Sequence, residues 1–262
     1  MRITIYQVDA FTNKLFAGNP AAVCPLDEWL SDALMQNIAM ENNLAETAFF
    51  VRKESQYELR WFTPVTEVDL CGHATLASAY VLFEHEHYTD EVIRFHSPRS
   101  GPLTVKKNEG MLTLNFPADK ITPIPLSDAL CSGFSTRPTA AYKGKTDYLL
   151  VFDDEETIRN LVPVFDIIAA WPVRGVIVTA KGSSTDFISR FFGPQVGVPE
   201  DPVTGSAHTT LMPYWSSQLG RKTLTGHQLS KRGGYLECTL LDDRVEISGQ
   251  CRLYMTGVIH MD

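Results

Sequence analysis

The 262-residue sequence lacks the features that mark several large classes of protein. It contains no run of Lys or Arg, and 31 acidic residues outnumber 23 basic ones, which leaves a formal net charge of −8. A nucleic-acid partner requires a concentrated basic surface, so we expect no nucleic acid as a partner. Prolines, glycines and charged residues interrupt each apolar region before it reaches the roughly 18 residues that span a bilayer, so we expect no membrane segment.

Cysteine is scarce and has no pairing pattern. The five cysteines form an odd set without a C-x-x-C pair, which favours a reducing compartment over a disulfide framework. Residues Met1 to Asp9 alternate polar and apolar side chains as a strand does, and they lack the basic head and apolar body of a signal peptide. The expected location is therefore the cytoplasm. Neither a P-loop nor a G-x-G-x-x-G fingerprint occurs.

The sequence does contain enough apolar material for a sizeable core, since 44% of its residues are hydrophobic and 21% are charged. The length favours two lobes of ordinary size. We assign residues 1–117 to an N-terminal lobe, the proline-containing residues 118–126 to a linker, and residues 127–262 to a C-terminal lobe. Apolar spacing predicts helices at about Leu26 to Asn42, Gly72 to Glu86, Glu155 to Ala170 and Gly205 to Leu219.

The two lobes repeat one local order of elements. In the first, a strand that ends in the segment Arg60 to Pro64 precedes Gly72, which opens a helix without any charge from Ala74 to Phe83. In the second, the similar segment Arg190 to Pro194 precedes Gly205, which opens another apolar helix. A helix without a polar face must be enclosed. We therefore predict an α+β fold of two pseudo-symmetric lobes, each an antiparallel sheet curled around one central buried helix.

Both enclosed helices begin at a glycine, Gly72 or Gly205. The first four N–H groups of a helix have no partner within it, and the helix dipole adds partial positive charge at that end. Because glycine has no Cβ, an anion can approach the backbone closely. One such glycine is explained by a tight turn, but two in equivalent positions favour a site for a carboxylate. If the two helix starts face each other, they form a carboxylate trap.

Glu46 is the candidate acid/base residue. Strand alternation from Leu44 to Phe50 puts its side chain on the same face as Leu44, Ala48 and Phe50. We expect burial among these apolar groups to raise the pKa of Glu46, which suits a carboxyl that takes a proton from carbon and returns it elsewhere. The alternative is a loop glutamate that precedes the strand.

Polar residues flank both helix starts. His73 follows the first helix glycine, and we expect a neutral ring there because a helix N-terminus disfavours the imidazolium form. Asp201, Thr204 and Ser206 surround the second helix glycine, and all three are common capping residues. We interpret Thr204 as the cap and Asp201 as a group directed into the active site.

Two other patterns carry less weight. Cys71 adjoins the first helix start, where the pKa of a thiol falls, but a two-thiol racemase needs a second cysteine within Asp201 to Ser206 and none occurs there. We interpret Cys71 as a small packed side chain. The run His85 to His87 has no second cluster of ligands to complete it, so we expect no metal site.

Taken together, these segments resemble the phenazine-biosynthesis-like proteins, the PhzF family, whose fold is that of diaminopimelate epimerase. The resemblance implies two similar lobes, an active site in the cleft between them, no cofactor and commonly a homodimer. The matching segments are Asp9 to Phe11, Gly18 to Val23, Glu46 to Phe49, Arg60 to Pro64, Leu70 to Thr75, Ser189 to Phe192, Glu200 to His208, Pro213 to Trp215 and Gln228 to Gly234.

The resemblance also implies roles for individual residues. Glu46 matches the family's acid/base glutamate, which in the phenazine enzyme moves a proton between carbons of dihydro-hydroxyanthranilate. His73, Asp201 and Ser206 match the other polar active-site positions, and the Gly72 N–H matches a group near the substrate carboxylate.

The predicted function is that of a cofactor-free isomerase acting on a small carboxylate that bears an amino or hydroxyl group. Glu46 moves the proton, while the helix N–H groups and the Ser206 hydroxyl stabilise the negative charge. His73 and Asp201 orient the amino or hydroxyl group. Two alternatives stay open: a racemase or epimerase with Glu46 and Asp201 as opposed bases, and a dimeric binding protein without catalysis.

Overall fold

The computed structural model of the protein describes residues 1–261, and these residues fall into two units. Unit 1 consists of Met1–Asn115 together with the chain from Ser248 onward, and unit 2 consists of Phe116–Ile247. Within the described residues, none of the helices has both the length and the apolar character that crossing a bilayer requires.

The secondary structure is dominated by strands. The helices are α1 (Asp32–Asn42), α2 (Gly72–Glu84), α3 (Asp128–Cys131), α4 (Glu155–Asn160), α5 (Phe165–Ala169) and α6 (Ala207–Leu219). The strands are β1 (Arg2–Ala10), β2 (Asn19–Leu26), β3 (Glu46–Lys53), β4 (Gln56–Phe62), β5 (Glu67–Val68), β6 (Val92–Ser97), β7 (Gly101–Asn108), β8 (Met111–Pro117), β9 (Thr122–Ile124), β10 (Ala140–Lys143), β11 (Asp147–Val151), β12 (Gly175–Lys181), β13 (Phe187–Gly193), β14 (Val198–Asp201), β15 (Thr223–Gln228), β16 (Gly234–Leu241), β17 (Arg244–Gly249) and β18 (Cys251–His260).

Unit 1 contains a mixed sheet. β1 is antiparallel to β2 and β18, β3 is antiparallel to β4, and β6 is antiparallel to β7. Two pairs are parallel, β2 with β3 and β4 with β6. A parallel pair requires a crossover connection, and α1 supplies the first crossover and α2 the second. The largely antiparallel sheet expected from the sequence is therefore mixed at these two pairs.

Helix α2 is buried, as the absence of charged side chains from Ala74 to Phe83 predicts. Nine of its 13 residues are buried, and the alanines among them let neighbouring elements approach closely. Its buried hydroxyls bond within the helix: Thr75 Oγ1 donates to the Cys71 carbonyl at 2.5 Å and Ser78 Oγ to the Ala74 carbonyl at 2.8 Å. These two hydroxyl groups are thus satisfied within the helix, and burying them leaves neither unpaired.

Unit 2 has the same order of pairings. β10 is antiparallel to β11, β11 is parallel to β12 across α4 and α5, β12 is antiparallel to β13, and β13 is parallel to β15 across α6. The helix predicted from Glu155 to Ala170 is two short helices. α4 ends at Asn160, and Leu161 after it has an extended backbone. A helix cannot continue through the next two residues either, because Val162 precedes a proline and Pro163 has no N–H to donate.

The end of the chain departs from the predicted division into lobes. β18 pairs with β1 from Arg2 opposite His260 to Ala10 opposite Cys251, so this last strand belongs to unit 1 and not to a lobe of residues 127–262. Residues 118–126 are not a free linker either, since β9 lies within them and pairs with β10. β18 was not predicted because most of its side chains are exposed and its partner is at the other end of the sequence.

Candidate active site

Glu46 is the first residue of β3 and lies opposite Ala21 of β2 in the parallel register. This position excludes the alternative of a loop glutamate. The next five residues, from Thr47 to Val51, are all buried, so both faces of the strand are packed. The Glu46 side chain is 19% exposed, and its Oε2 atom is buried. The carboxyl therefore lies at the edge of a packed interior and retains limited access to solvent.

His73, the second residue of α2, faces this carboxyl and is 5% exposed. Its Nε2 lies 3.1 Å from Glu46 Oε2, but the two atoms do not have the alignment of a hydrogen bond. Its Nδ1 lies 3.2 Å from Asn19 Nδ2 and 3.5 Å from Cys71 Sγ. An amide group can present its nitrogen to a neutral ring or, when rotated, its oxygen to a protonated ring. Asn19 can therefore support either protonation state of His73.

The charge state of His73 differs from our prediction. Burial lowers the pKa of His73, but Cys71 and Glu46 raise it, and the resulting pKa lies well above the ordinary value for histidine. Burial raises the pKa of the Cys71 thiol itself, so Cys71 is a neutral thiol near neutral pH and the charge that favours imidazolium comes from Glu46. The prediction of a neutral ring considered only the helix dipole and missed this facing carboxylate.

Glu46, Cys71 and His73 each place one potential ligand atom within 4.8 Å of the others. These groups are a poor match to a zinc site, because the sulfur approaches Nδ1 of the ring whereas the carboxylate approaches Nε2, so neither ring nitrogen faces both groups. The chemistry of the three groups suits proton exchange better than metal binding.

The start of α2 carries no side-chain cap. Cys71 occupies the N-cap position with an extended backbone and makes no capping bond. In the part of the chain that the structure describes, the N–H groups of Gly72 and His73 donate to no other group. Two backbone donors with partial positive charge therefore lie next to the Glu46–His73 pair and are available to an anion.

In unit 2, Asp201 ends β14 and accepts a hydrogen bond of 2.5 Å from the Thr204 hydroxyl. Gln228, fully buried at the end of β15, accepts from the Thr204 N–H at 2.8 Å and donates to the Asp201 carbonyl at 2.8 Å. The prediction that Thr204 caps the helix is wrong, because its hydroxyl donates to Asp201 and accepts from Gln228. Gln228 opens one of the segments that resemble the family, but a glutamine at a strand end does not by itself indicate this role.

Helix α6 begins at Ala207, two residues later than predicted. In the first turn each N–H donates to the carbonyl three residues earlier, beginning with the bond from the Ala207 N–H to the Thr204 carbonyl. The N–H groups of Gly205 and Ser206 donate to no described group. Ser206 makes no capping bond, and its hydroxyl accepts a hydrogen bond of 3.1 Å from Arg174 Nη2. This helix start presents two N–H groups and one hydroxyl.

Each unit thus carries its own group of the predicted residues. Glu46, Gly72 and His73 are neighbours in unit 1, and Asp201, Gly205 and Ser206 are neighbours in unit 2. The partners of these groups are residues to which the sequence pattern assigned no role, namely Asn19, Arg174 and Gln228.

Comparison with known proteins decides the family. The model of the family described as phenazine biosynthesis-like protein matches residues 8–257. The chain belongs to this family. An uncharacterized isomerase from Pseudomonas aeruginosa is 51% identical to the PhzF-like chain over 261 residues, and the alignment covers 100% of each protein.

Solved structures agree with this assignment. The crystal structure of a PhzF family protein from Enterococcus faecalis matches with a TM-score of 0.97 at 46% identity and covers 100% of both chains. A predicted epimerase from Pseudomonas aeruginosa has a TM-score of 0.79 at 18% identity, covering 99% of this chain and 100% of that one, and so shares the fold. The resemblance, the epimerase-like α+β fold and the isomerase class inferred from the sequence are confirmed.

Proposed function

We propose that this PhzF-like protein is a cofactor-independent isomerase that moves a proton between two carbons of a small carboxylate bearing an amino or hydroxyl group. The observation that supports this most strongly is the contact of Glu46 with His73, in which Oε2 lies 3.1 Å from Nε2. Glu46 Oε2 has no aligned hydrogen bond to any described group, and the Glu46 side chain keeps limited access to solvent. A carboxylate in that condition is suited to accept a proton from a substrate.

In the proposed reaction, Glu46 takes a proton from one carbon as the electron pair moves into the adjacent π system, and the same carboxyl returns a proton to another carbon. The imidazole of His73 lies against this carboxyl. His73 also orients the amino or hydroxyl group of the substrate. The helix N–H groups stabilise the negative charge that spreads onto the substrate carboxylate during the transfer.

Asp201 and Ser206 are assigned to the same substrate, with Asp201 orienting the amino or hydroxyl group and Ser206 donating to the carboxylate. This assignment rests on their match to the family's polar active-site positions. The N–H groups of Gly205 and Ser206, which donate to no described group, support an anion-binding role for this helix start.

A two-thiol racemase is not favoured. Burial raises the pKa of Cys71, so Cys71 is a poor base, and Thr204 stands before the second helix glycine where a second cysteine would be needed.

The proposed function is tested by exchange of substrate C–H for deuterium. The protein is incubated in D2O with a panel of unsaturated amino and hydroxy carboxylates, and loss of each C–H signal is followed by proton NMR. We expect exchange with a subset of the panel, loss of exchange in Glu46→Gln, and normal exchange in Glu41→Gln, whose residue is exposed on α1. Exchange at the wild-type rate in Glu46→Gln would contradict the mechanism.

A further inference from the structure

Among the described residues, three arginines each form a bidentate ion pair, in which Nε and Nη2 donate to the two oxygens of one carboxylate, and each also lies over an aromatic ring. They are Arg60 with Glu67 over Phe62, Arg190 with Glu200 over Phe192, and Arg174 with Asp147 over Phe191. Arg60 and Arg190 stand at equivalent positions of the repeated Arg-aromatic-aromatic segment, whereas Arg174 has no equivalent in unit 1.

Arg174 differs from Arg190 in the group that receives its third hydrogen bond. The remaining N–H groups of Arg190 donate to the carbonyls of Ile158 and Leu161, at 3.2 and 2.8 Å, and so bind backbone of the fold. Arg174 Nη2 instead donates to the Ser206 hydroxyl at 3.1 Å. The guanidinium of Arg174 therefore donates to a side chain of the candidate site, whereas that of Arg190 does not.

The guanidinium of Arg174 is held rigidly. Asp147 is 2% exposed and opens β11, and the Arg174 N–H donates to the Thr146 carbonyl at 2.7 Å. The Phe191 ring lies under the guanidinium at 5.3 Å and fits there because position 175 is glycine. A Cβ on Gly175 would lie 2.3 Å from Phe191 Cζ. Both the ion pair and the ring thus fix the direction in which Arg174 donates.

This contact determines how Ser206 can act. A hydroxyl has one hydrogen, and when Arg174 donates to its oxygen that hydrogen is left for a different acceptor. No described residue accepts it. Donation from a cation also polarises the hydroxyl and makes it a better donor, because hydrogen bonds in a chain strengthen one another.

We propose that Arg174 is a positioning residue that fixes the Ser206 hydroxyl so that it donates to the carboxylate of the substrate. The inference rests on the proposed function, in which Ser206 receives that carboxylate. It assigns the Asp147–Arg174 ion pair a role in ligand recognition, whereas the similar Glu200–Arg190 pair has a structural role.

The test uses two probes that differ by one carboxylate, 3-hydroxyanthranilate and 2-aminophenol, and measures their dissociation constants by calorimetry on the full chain. We expect Arg174→Gln to weaken binding of 3-hydroxyanthranilate about tenfold, the usual effect of losing a hydrogen bond to a charged group, and to leave 2-aminophenol binding unchanged. Arg190→Gln is the matched control, because it breaks an equivalent fork and is expected to leave the ratio of the two constants unchanged.

A double-variant cycle separates positioning from direct contact. In a Ser206→Ala background, Arg174→Gln is expected to cause no further loss of affinity for 3-hydroxyanthranilate, because Arg174 acts through that hydroxyl. Arg174→Lys keeps the charge without the planar fork and carries the same test if Arg174→Gln does not fold.

Three results would overturn the inference: a wild-type protein whose affinity gains nothing from the probe's carboxylate, a ratio unaffected by Arg174→Gln, or equal effects of Arg174→Gln and Arg190→Gln. The deuterium exchange of the Glu46 variants is measured separately. Its failure with a normal Arg174 effect rejects the isomerase mechanism alone, and the converse result rejects the role of Arg174 alone.

Discussion

Nε2 of His73 lies 3.1 Å from Oε2 of Glu46, so the start of α2 carries an imidazole against the carboxyl at the start of β3. The carboxyl of Glu46 affects the charge of His73. Burial of His73 disfavours its protonated form, and the carboxylate of Glu46 opposes that effect.

This coupling predicts the titration of His73. In the wild-type protein its pKa lies well above the ordinary value, and removal of the charge in Glu46→Gln leaves burial less opposed, so the pKa should fall. The ring Cε1–H resonance in NMR titrations reports the change directly. Glu41→Gln, which alters an exposed residue of α1, should leave the resonance unchanged. An unaltered His73 titration in Glu46→Gln would show that the two groups are not coupled.

A second histidine makes stability depend on pH. Burial lowers the pKa of His208 from 6.5 to about 4, because the fully buried ring cannot be solvated by water when it is protonated. The unfolded chain therefore binds the extra proton first, and folding stability falls as pH decreases from 6.5 towards 4. The loss attributable to His208 is about 3 kcal/mol over that window.

Urea unfolding at a series of pH values measures this loss. His208→Asn keeps a donor for the Thr204 carbonyl, which Nδ1 of His208 contacts at 2.9 Å, but it removes the titrating group. The variant should have a shallower acid dependence than the wild-type protein. Parallel pH profiles for the two proteins would refute the assignment to His208.

The hydrogen bonds of the Gln228 side chain are expected to stabilise the folded protein near Asp201. Gln228→Leu leaves the Thr204 N–H and the Asp201 carbonyl without the 2.8 Å bonds that the amide supplies. We expect a loss of about 1–3 kcal/mol in the free energy of unfolding, the usual cost of leaving a buried donor such as the Thr204 N–H without its partner. Gln218→Leu alters an exposed glutamine of α6 and should change stability by less than about 0.5 kcal/mol. Equal effects of the two variants would argue against the network.

Gly175 is predicted to be intolerant of a side chain. In Gly175→Ala the new Cβ would overlap the Phe191 ring, and we expect a cost of about 1–3 kcal/mol from overpacking. Phe191→Leu removes the ring, so the double variant should recover part of the stability that Gly175→Ala loses. A double variant that is simply additive in its two losses would place the strain elsewhere.

Much of this arrangement follows from local sequence patterns. The absence of charge from Ala74 to Phe83 predicts a buried α2, because this signal depends only on neighbouring residues. At Glu46 the sequence leaves a strand position and a loop position open, and the pairing of β3 with β2 decides for the strand. The repeated segment before each helix glycine likewise anticipates the repeated order of pairings in the two units.

The remainder depends on residues that are distant in sequence. The pairing of β18 with β1 joins the two ends of the chain, and no local pattern encodes it. The hydrogen bond from Arg174 to Ser206 forms because the start of β12 lies near the start of α6. Thr204 is not a cap because Asp201 is near enough to accept the hydrogen bond of its hydroxyl. The sequence thus supplies candidate groups, and tertiary contacts determine which group each one serves.

The central claim is that the carboxyl of Glu46 carries the proton between substrate carbons. Its most direct test is the rate of deuterium incorporation into a carboxylate that wild type and Glu46→Gln bind with equal affinity. The account predicts that incorporation is lost in Glu46→Gln although the ligand is bound. Undiminished incorporation into the bound ligand would contradict it.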